Sequence, residues 1–453
     1  MLFLTNDIIE LFPNTQGAVT GNLPIRQVTT DSRVTTNHGL FVPLKGDKFN
    51  GHEFLDQAIN NGAIAAVWDQ SESVPEYVPT DLPIFFVEDT LHALQQLAGY
   101  YRNKINPTVI GITGSNGKTT TKDIIATVLA QKFQTHHTKG NLNNHIGLPL
   151  TILNMSPNTE ILVVEMGMNH FGEIRVLSTI AAPDYAIITN IGESHIEYLK
   201  TRSGIAKAKA EIITGLNDKG CMYVDGDESL LDSYIEGMNV QPIGFESNVP
   251  YRIQDINVTS TKTTFIFENE SYSIPLLGKH HAKNASYAIA LAKDLGMNHD
   301  QIQIGLSTIE MTGMRFESLK GLNGSTVIND TYNASPTSMK AAIEVVKEMK
   351  SFKKKILVLG DMFELGDRAK VYHREIADSI TEDIHFVCTI GKHSKVLNQE
   401  LNISKPNIIA NHFEDKQELV AFLQPLLDET TLILLKASRG MQLEIVCKSI
   451  VFD

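Results

Sequence analysis

The residues with the clearest chemical potential lie in a glycine-bearing loop near position 115. An apolar run ending at Ile112 precedes the loop and apolar residues at helical spacing follow it, so the order is strand, loop and helix. Such a loop points the N–H groups of the helix start at one spot, which favours a phosphate group. Lys118 would add a positive charge there, and the Thr119 hydroxyl would ligate Mg²⁺. We predict a phosphate-binding loop made of Thr113, Gly114, Ser115, Asn116, Gly117, Lys118, Thr119 and Thr120.

This loop departs from the common phosphate-loop pattern at one position. The common pattern places a glycine five residues before the Gly-Lys pair, whereas Ile112 stands there in this chain and Gly111 comes one residue too early. An ordinary strand-to-helix turn with a solvated lysine is the alternative. The order of strand, glycines, lysine, hydroxyls and helix favours phosphate binding.

Two further candidates follow apolar strand patterns in the same region. Glu165 ends the run Ile-Leu-Val-Val-Glu, and His195 lies shortly after a run that includes residues 186–189. An acid at the end of a strand beside a phosphate loop is where a metal-site residue is expected. A solvated carboxylate and a structural histidine are the alternatives.

Lys209 lies on the apolar stripe of a helix predicted from about 203 to 216. Ile205 and Ile212 define this stripe, and Lys207 falls on the opposite face. A lysine that faces inward is costly unless it is paired or neutralised, and burial lowers its pKa. The alternative is a lysine whose stem packs while its amine reaches water.

Polar loops at three other places are candidates for substrate binding. They contain Asp31, Ser32 and Arg33; Lys45 and Gly46; and the asparagines Asn141, Asn143 and Asn144. The first two loops follow apolar strand patterns, where open α/β sheets bind ligands. Ordinary turn chemistry explains them equally well. The asparagine loop is equally compatible with turns and with a polar substrate.

The composition restricts the class of protein. A chain of 453 residues with 42% hydrophobic residues is globular and has more than one domain. The net charge of -13 argues against nucleic acid as a partner, because phosphate backbones need a basic face. The three cysteines are far apart, and neither a signal peptide nor a membrane-spanning run is recognisable. We therefore expect a soluble, cytoplasmic protein that is not embedded in a membrane.

Three α/β domains are predicted. Residues 1–103 alternate short strands with helical patterns, and residues 102–107 are predicted to form a linker. The second domain, 104–312, begins with the phosphate loop. In the third domain, 313–453, strands and helices alternate, which implies a parallel sheet with helices on both faces.

Taken together, these segments resemble the Mur ligase family over nearly the whole chain. The family's Thr-Gly-x-x-Gly-Lys-Thr loop is similar to residues 113–119, which accounts for the departure from the common pattern. Val-Glu-Met-Gly at Glu165, Asn-Ile-Gly-x-x-His at His195 and Ala-Lys-Ala-Glu-Ile at Lys209 resemble three more family motifs. The resemblance implies a catalytic set of Lys118, Glu165, His195 and Lys209, with Lys209 carbamylated. It also implies that Thr119, Glu165, His195 and the carbamate hold Mg²⁺.

Three motifs in the last domain resemble the branch of this family that adds D-alanyl-D-alanine. They are Asp-x-Tyr-Asn-Ala from 330, Gly-Asp-Met-x-Glu-Leu-Gly from 360 and Lys-x-Ser-Arg-Gly from 436. Members that act earlier tend to have histidine at the position of Asn333. The resemblance implies that Asn284, Arg315 and Asp330 contact ATP, and that Tyr332, Asn333, Lys436, Ser438 and Arg439 contact substrate. Asn50 and Ala437 depart from the family pattern, where aspartate and glycine are expected.

The resemblance also implies a fold and a reaction. The fold would comprise a small α/β domain that binds a uridine nucleotide, a central P-loop ATPase domain with a parallel sheet, and a C-terminal Rossmann-like domain. The reaction would join D-Ala-D-Ala to UDP-MurNAc-tripeptide through an acyl phosphate, with ATP and Mg²⁺, for peptidoglycan synthesis. Lysine and diaminopimelate both remain open as the third residue of the tripeptide. We expect a monomer whose domains close around the substrates.

Two other functions were weighed against this one. A folylpolyglutamate synthase, or the relative that makes the tripeptide, would share the phosphate loop, but the segment at Asn333 and the uridine-type first domain argue against both. A non-catalytic nucleotide-dependent scaffold would keep Lys118 and would need neither Glu165 nor Lys209.

Overall fold

The computed structural model describes residues 1–259, 261–310 and 312–452, without the side chain of Thr20. Three α/β units follow one another along the chain, each with its own sheet of five or more strands. Within the described residues, every helix is too short or too polar to cross a bilayer. The three-domain α/β architecture predicted from the sequence is confirmed.

The first unit is a small mixed sheet with three helices. Its strands are β1 (Phe3–Leu4), β2 (Thr15–Gln16), β3 (Pro24–Ile25), β4 (Gln27–Thr29), β5 (Gly39–Phe41), β6 (Ala63–Asp69) and β7 (Ile84–Val87), and its helices are α1 (Thr5–Leu11), α2 (Leu55–Asn60) and α3 (Thr90–Ile105). The sheet order is β2-β7-β6-β5-β4, with β2 antiparallel at the edge and the other pairs parallel. β1 and β3 form a separate two-stranded pair.

The linker predicted over 102–107 is wrong for most of its length. α3 continues to Ile105, and Asn106 ends it in the left-handed conformation at φ 54°, directly before Pro107. The helix continues because its inward stripe is buried to its last turns: Tyr101 is fully buried and donates a hydrogen bond to the Met155 carbonyl at 3.0 Å. α3 therefore fastens the first unit to the second instead of hinging between them.

The second unit is built on a nine-stranded sheet. Its strands are β8 (Thr108–Thr113), β9 (Thr135–His137), β10 (Ile161–Glu165), β11 (Tyr185–Ile188), β12 (Cys221–Asp225), β13 (Val240–Gly244), β14 (Tyr251–Val258), β15 (Thr263–Phe267) and β16 (Glu270–Ile274). Its helices are α4 (Lys118–Leu129), α5 (Gly147–Leu153), α6 (Glu173–Ala181), α7 (Ile196–Leu199), α8 (Arg202–Ala210), α9 (Asp232–Ile235), α10 (Lys279–Asp294) and α11 (His299–Ser307).

The strand order of this second sheet places three functional segments at one edge. The order is β16-β15-β14-β13-β12-β11-β8-β10-β9, parallel from β9 to β14 and antiparallel through β15 and β16. β8 lies between β10 and β11, so the loops that follow these three strands meet outside their carboxyl ends. Apolar side chains on both faces of these strands are buried, which fixes their register.

The third unit has a six-stranded sheet of Rossmann type. Its strands are β17 (Glu317–Lys320), β18 (Thr326–Asp330), β19 (Lys354–Gly360), β20 (Phe386–Ile390), β21 (Ile409–Phe413) and β22 (Thr431–Lys436), and its helices are α12 (Pro336–Glu348), α13 (Ala369–Glu375), α14 (Lys395–Ser404), α15 (Lys416–Leu423) and α16 (Glu444–Lys448). The order is β17-β18-β22-β19-β20-β21, and only the β17 pair is antiparallel. The predicted parallel sheet is confirmed.

Candidate active site

A cleft of about 470 Å³ lies between the second and third units. Its walls come from the carboxyl ends of β8, β10 and β11 on one side and of β18 and β22 on the other. The predicted residues that line it are Ser115, Asn116, Gly117, Lys118, Thr119, Thr120, Asn141, Asn143, Asn144, Glu165, His195, Asn284, Arg315, Asp330, Tyr332, Asn333 and Lys436. Most of the site predicted for the second and third domains is thus brought into one cavity.

Gly114 and Gly117 of the phosphate loop cannot be replaced by a residue with a side chain without strain. Gly114 and Gly117 have φ values of 149° and 80°, which side chains rarely adopt. A Cβ atom at Gly114 would lie 1.8 Å from Thr189 Oγ1, and one at Gly117 would lie 3.0 Å from Asn284 Oδ1. The loop therefore packs its bare backbone against the loop after β11 and against α10, with the start of α4 directed at the cleft.

The Lys118 side chain is hydrogen-bonded to the phosphate loop. Its amine donates a hydrogen bond to the Gly114 carbonyl at 2.8 Å. Burial lowers the pKa of Lys118, nearby Glu165 opposes that shift, and Arg315 adds to it. A cation fixed between the loop carbonyl and a carboxylate lies where the terminal phosphates of a nucleotide would gain its charge.

Glu165 is fixed from both of its oxygens. Thr119 Oγ1 donates to Oε2 at 2.8 Å, and Asn143 Nδ2 donates to Oε1 at 2.8 Å. Thr119 and Glu165 are each only 2% exposed. Thr119 and Glu165, both predicted to hold Mg²⁺, are thus hydrogen-bonded to each other, and Asn143, predicted to bind substrate, also orients this carboxylate.

His195 makes a contact across the two units. Its Nδ1 lies 2.6 Å from Oε2 of Glu364, which belongs to the loop after β19. This contact holds the pKa of Glu364 below its usual value, against the opposing effect of burial. Both residues have positive φ, 64° at His195 and 60° at Glu364, a strain typical of functional sites.

Lys209 faces inward, as the spacing predicted. It lies in α8, which ends at Ala210 instead of Leu216 and continues as a 3₁₀ turn over Glu211–Gly215. The side chain is 1% exposed, whereas Lys207 is exposed. Burial lowers the pKa of Lys209 well below its usual value, and the nearby Lys118 charge lowers it further. Its amine has no hydrogen-bond or ion-pair partner within the described residues, and Lys209 is not among the residues that line the cleft.

The oxygen ligands present fit Mg²⁺. The Thr119 hydroxyl and the Glu165 carboxylate lie together beside the phosphate loop, and Mg²⁺ binds one or two carboxylates together with phosphate oxygens and water. In the part of the chain that the structure describes, no group of three or more His, Cys, Asp or Glu side chains forms a self-sufficient metal site. Nucleotide oxygens and water would complete the coordination of a Mg²⁺ ion held by Thr119 and Glu165.

The opposite wall of the cleft is organised by an ion pair between adjacent strands. Lys436 Nζ donates to Asp330 Oδ2 at 2.5 Å and to the Asn333 carbonyl at 3.0 Å. The two charged residues face each other in register at the ends of β18 and β22. The Arg315 guanidinium lies 4.0 Å from the centre of the Tyr332 ring, a cation–π contact that fixes this arginine at the mouth of the cleft.

Five residues predicted for the site in the second and third units do not line the cleft. Thr113 Oγ1 donates to the Met166 carbonyl, and Gly114 forms the turn behind the cleft. The Ser438 hydroxyl accepts a hydrogen bond from the Phe363 amide at 2.9 Å, and Arg439 pairs with Glu444 at 2.9 Å. With Lys209, these residues are not among those that line the cavity.

The loops predicted in the first unit contribute no residue to the lining of this cleft. Arg33 pairs with Asp31 through two hydrogen bonds of 2.8 and 2.7 Å, and these bonds hold the pKa of Asp31 at about 2. The Ser32 hydroxyl donates to Gln57. Lys45 lies 2.5 Å from Glu72, and the Gly46 amide donates to the Phe49 carbonyl. Their role in binding stays a prediction.

Several cleft residues were missed by the sequence analysis. His280 and His281 line the cavity at the start of α10, and burial lowers the pKa of His280 to about 4. Glu364 was recognised only as part of a motif, and its contact with His195 depends on the packing of two units. The adjacent histidines just before Asn284 were the available signal. Ala437 fits locally, because Gly360 leaves the space that the Ala437 methyl group faces.

Comparisons with known proteins agree with this geometry. Three family models match in the order of the units: "Mur ligase family, catalytic domain" at residues 24–102, "Mur ligase middle domain" at 112–292 and "Mur ligase, glutamate ligase domain" at 314–439. The UDP-N-acetylmuramoyl-tripeptide–D-alanyl-D-alanine ligase of Bacillus subtilis is 44% identical over 430 residues, covering 94% of this chain and 93% of that protein. The Escherichia coli protein of the same name is 34% identical, covering 96% and 95%.

Solved structures show the same similarity. A crystal structure of MurF from Acinetobacter baumannii superposes with a TM-score of 0.86 at 27% identity, covering 98% of each chain. The MurF ligase of Thermotoga maritima, solved in complex with ADP, gives a TM-score of 0.82 at 29% identity, covering 94% of this chain and 96% of that one.

Proposed function

This chain belongs to the Mur ligase family, and from that premise we propose that it joins D-alanyl-D-alanine to UDP-N-acetylmuramoyl-tripeptide in an ATP-dependent reaction. The product would be UDP-N-acetylmuramoyl-pentapeptide for peptidoglycan synthesis. One observation supports this most strongly. The phosphate loop with Lys118, and the Lys436–Asp330–Asn333 group, lie on opposite walls of one cleft, so a nucleotide and an acceptor can meet there.

The first step activates a carboxylate. An oxygen of the terminal carboxylate of the tripeptide attacks the γ-phosphorus of ATP and forms a new O–P bond. The bond between the γ-phosphorus and the oxygen that becomes part of ADP breaks, which gives an acyl phosphate and ADP. Lys118 and the amides at the start of α4 offset the negative charge that collects on the transferred phosphoryl group. Asn284 and Arg315 face the cleft from α10 and from the start of the third unit, where they would contact the nucleotide.

Mg²⁺ would neutralise negative charge on the phosphates of ATP. Thr119 and Glu165 would hold this ion, and Asn143 keeps the carboxylate oriented for it. We propose that Lys209 is carbamylated and that the carbamate and His195 support a second ion. The buried amine with its lowered pKa supports this, because a neutral amine is the form that reacts with carbon dioxide.

The second step forms the amide. The neutral amine of D-Ala-D-Ala attacks the acyl carbon, which forms the C–N bond and a tetrahedral intermediate. The nitrogen then loses a proton to a base or to water, the C–O bond to the phosphate group breaks, and inorganic phosphate leaves. Asn333 and Lys436 lie at the cleft wall opposite the phosphate loop and would position the peptide and the dipeptide. Excluding water matters here, because water would hydrolyse the acyl phosphate.

We propose that the first unit holds the uridine nucleotide through Asp31, Ser32, Arg33, Lys45 and Gly46. The Arg33 and Lys45 side chains are 79% and 52% exposed, so a diphosphate could exchange with their carboxylate partners. We also propose domains of residues 1–103, 104–312 and 313–453, a monomeric state and a cytoplasmic location. The described cysteines are all free, as in a reducing compartment.

The test is phosphate release with a panel of nucleophiles. ATP, Mg²⁺ and UDP-MurNAc-tripeptide would be combined in turn with D-Ala-D-Ala, D-alanine, glutamate and diaminopimelate. We expect release only with D-Ala-D-Ala, and a pentapeptide product by mass spectrometry. A Lys118→Ala variant is the control for contaminating ATPase. Release with another amine, or with no amine, would overturn the choice of substrate.

A further inference from the structure

The second and third units are joined by hydrogen bonds between the loop after β11, the phosphate loop and the start of α12. Glu193, in the loop after β11, accepts two hydrogen bonds from Thr337 of α12: one from the hydroxyl at 2.6 Å and one from the backbone amide at 3.2 Å. Ser335, next to it, donates its hydroxyl to Asn116 Oδ1 at 3.0 Å. We call these two contacts the clasp.

The amide of Thr337 depends on this contact. It belongs to the first turn of α12, where backbone amides have no acceptor within the helix. Ser335 caps the neighbouring Ser338 amide, so the Thr337 amide is left to Glu193 of the other unit. A carboxylate at a helix N-terminus is also favoured by the helix dipole. Glu193 therefore caps a backbone amide in the first turn of a helix that belongs to another domain.

The other end of the clasp is the phosphate loop itself. The Asn116 amide donates to Asn190 Oδ1 at 3.0 Å, and Asn190 Nδ2 donates back to the Asn116 carbonyl at 2.9 Å. The Ser115 amide donates to the Asn190 carbonyl at 3.1 Å. The phosphate loop and the loop that carries Glu193 are thus one hydrogen-bonded unit, and α12 docks on that unit.

We infer that Glu193 is a positioning residue for the ligation, an inference that rests on the proposed function. It holds the start of α12, and with it the Asn333 segment, at a fixed distance from the phosphate loop. The wall of the cleft that carries the Asn333 segment then faces the activated carboxylate only while the clasp is formed. Glu193 touches neither nucleotide nor acceptor by this account, because it is not among the residues that line the cleft.

The experiment combines hydrogen exchange with kinetics on the full-length chain. Glu193→Ala removes the carboxylate oxygen that accepts both hydrogen bonds, Glu193→Gln retains an oxygen that can accept them, and Thr337→Ser retains the hydroxyl. Glu344→Ala is the matched control, because it removes a carboxylate from the same helix whose partner, Lys347, lies on that helix. Deuterium uptake is followed by mass spectrometry in peptides that cover Ser335 to Ser338.

We expect faster exchange of the Thr337 amide in Glu193→Ala and a fall of about tenfold in kcat/KM for D-Ala-D-Ala, as for loss of a hydrogen bond to a charged group. ADP affinity should be unchanged. Glu193→Gln should be intermediate, and Thr337→Ser and Glu344→Ala should match the natural protein. Unchanged exchange in Glu193→Ala would overturn the clasp. Faster exchange with unchanged kcat/KM would overturn its positioning role.

The two proposals fail separately. If the natural protein does not use D-Ala-D-Ala, the exchange comparison still decides whether the clasp forms in solution. The kinetic comparison is then repeated with whichever amine supports phosphate release.

Discussion

Replacing Lys436 with methionine separates the structural and chemical roles of the ion pair at the cleft wall. The Lys436 side chain is 3% exposed and that of Asp330 is 16% exposed, so removing the amine leaves a largely buried carboxylate without its partner. Breaking a buried pair in this way costs about 3–5 kcal/mol, and the residual exposure of Asp330 favours the lower value, about 3 kcal/mol. The Asn333 carbonyl also loses a donor.

A second variant distinguishes the two roles. In Asp330→Asn/Lys436→Met the unpaired charge is gone, so we expect stability within about 1 kcal/mol of the natural protein. We expect kcat/KM to stay reduced by about 100-fold or more, which corresponds to about 2.7 kcal/mol of lost transition-state stabilisation. The double variant should therefore recover its stability without recovering its activity.

The assay is local hydrogen exchange in peptides from β18 and β22, with phosphate release measured on the same samples. Exchange gives the free energy of opening for these strands directly, which suits a protein of three domains. A single variant that loses less than about 1 kcal/mol would show that solvent screens the pair, as at exposed sites. Recovery of activity in the double variant would show that Lys436 is only structural.

Three other predictions test neighbouring features. Lys209→Met should abolish turnover without lowering the melting temperature. With ¹³C-labelled bicarbonate, a carbamate signal should be present in the NMR spectrum of the natural protein and absent from that of the variant. Normal turnover of the variant would refute the role of the carbamate. The pKa of His280 is about 4 in the folded protein, whereas its ordinary value is 6.5. Folding therefore favours the neutral imidazole, and the free energy of unfolding decreases as the pH falls below 6.5. His280→Gln should abolish about 2 kcal/mol of this loss between pH 7 and pH 5, measured by thermal unfolding, and an equal loss in both proteins would contradict it. Asn50→Asp places a carboxylate 2.7 Å from His52 Nδ1 and beside Glu72. The pKa of His52, which burial now lowers, should therefore rise in NMR titrations, and an unchanged pKa of His52 would count against this reasoning.

The local parts of the site were predictable from sequence because each depends on a short segment. The phosphate loop needs only a strand, two glycines, a lysine and a helix start, all within residues 108–129. The inward orientation of Lys209 followed from helical spacing alone, although the helix ends earlier than predicted. The βα alternation after residue 355 predicted the parallel sheet of the third unit.

The parts that were missed depend on packing between distant segments. The His195–Glu364 contact and the Glu193–Thr337 contact join residues more than a hundred positions apart, and no local pattern encodes them. The linker prediction failed because the polar Asn-Lys-Ile-Asn-Pro sequence suggests a break, while the buried Tyr101 keeps α3 helical to Ile105. Ser438 was predicted to bind substrate from a motif, and that role stays a prediction; its hydroxyl accepts a hydrogen bond from the Phe363 amide, a contact that no local pattern indicates.

The central claim is that a carboxylate is activated by phosphoryl transfer before the amide forms. The most direct test uses UDP-MurNAc-tripeptide with ¹⁸O in its terminal carboxylate, together with ATP, Mg²⁺ and D-Ala-D-Ala, followed by mass spectrometry of the released phosphate. We expect one ¹⁸O atom in each phosphate released, because the carboxylate oxygen that attacks phosphorus leaves with it. Unlabelled phosphate would show that water attacks ATP and that no acyl phosphate is formed.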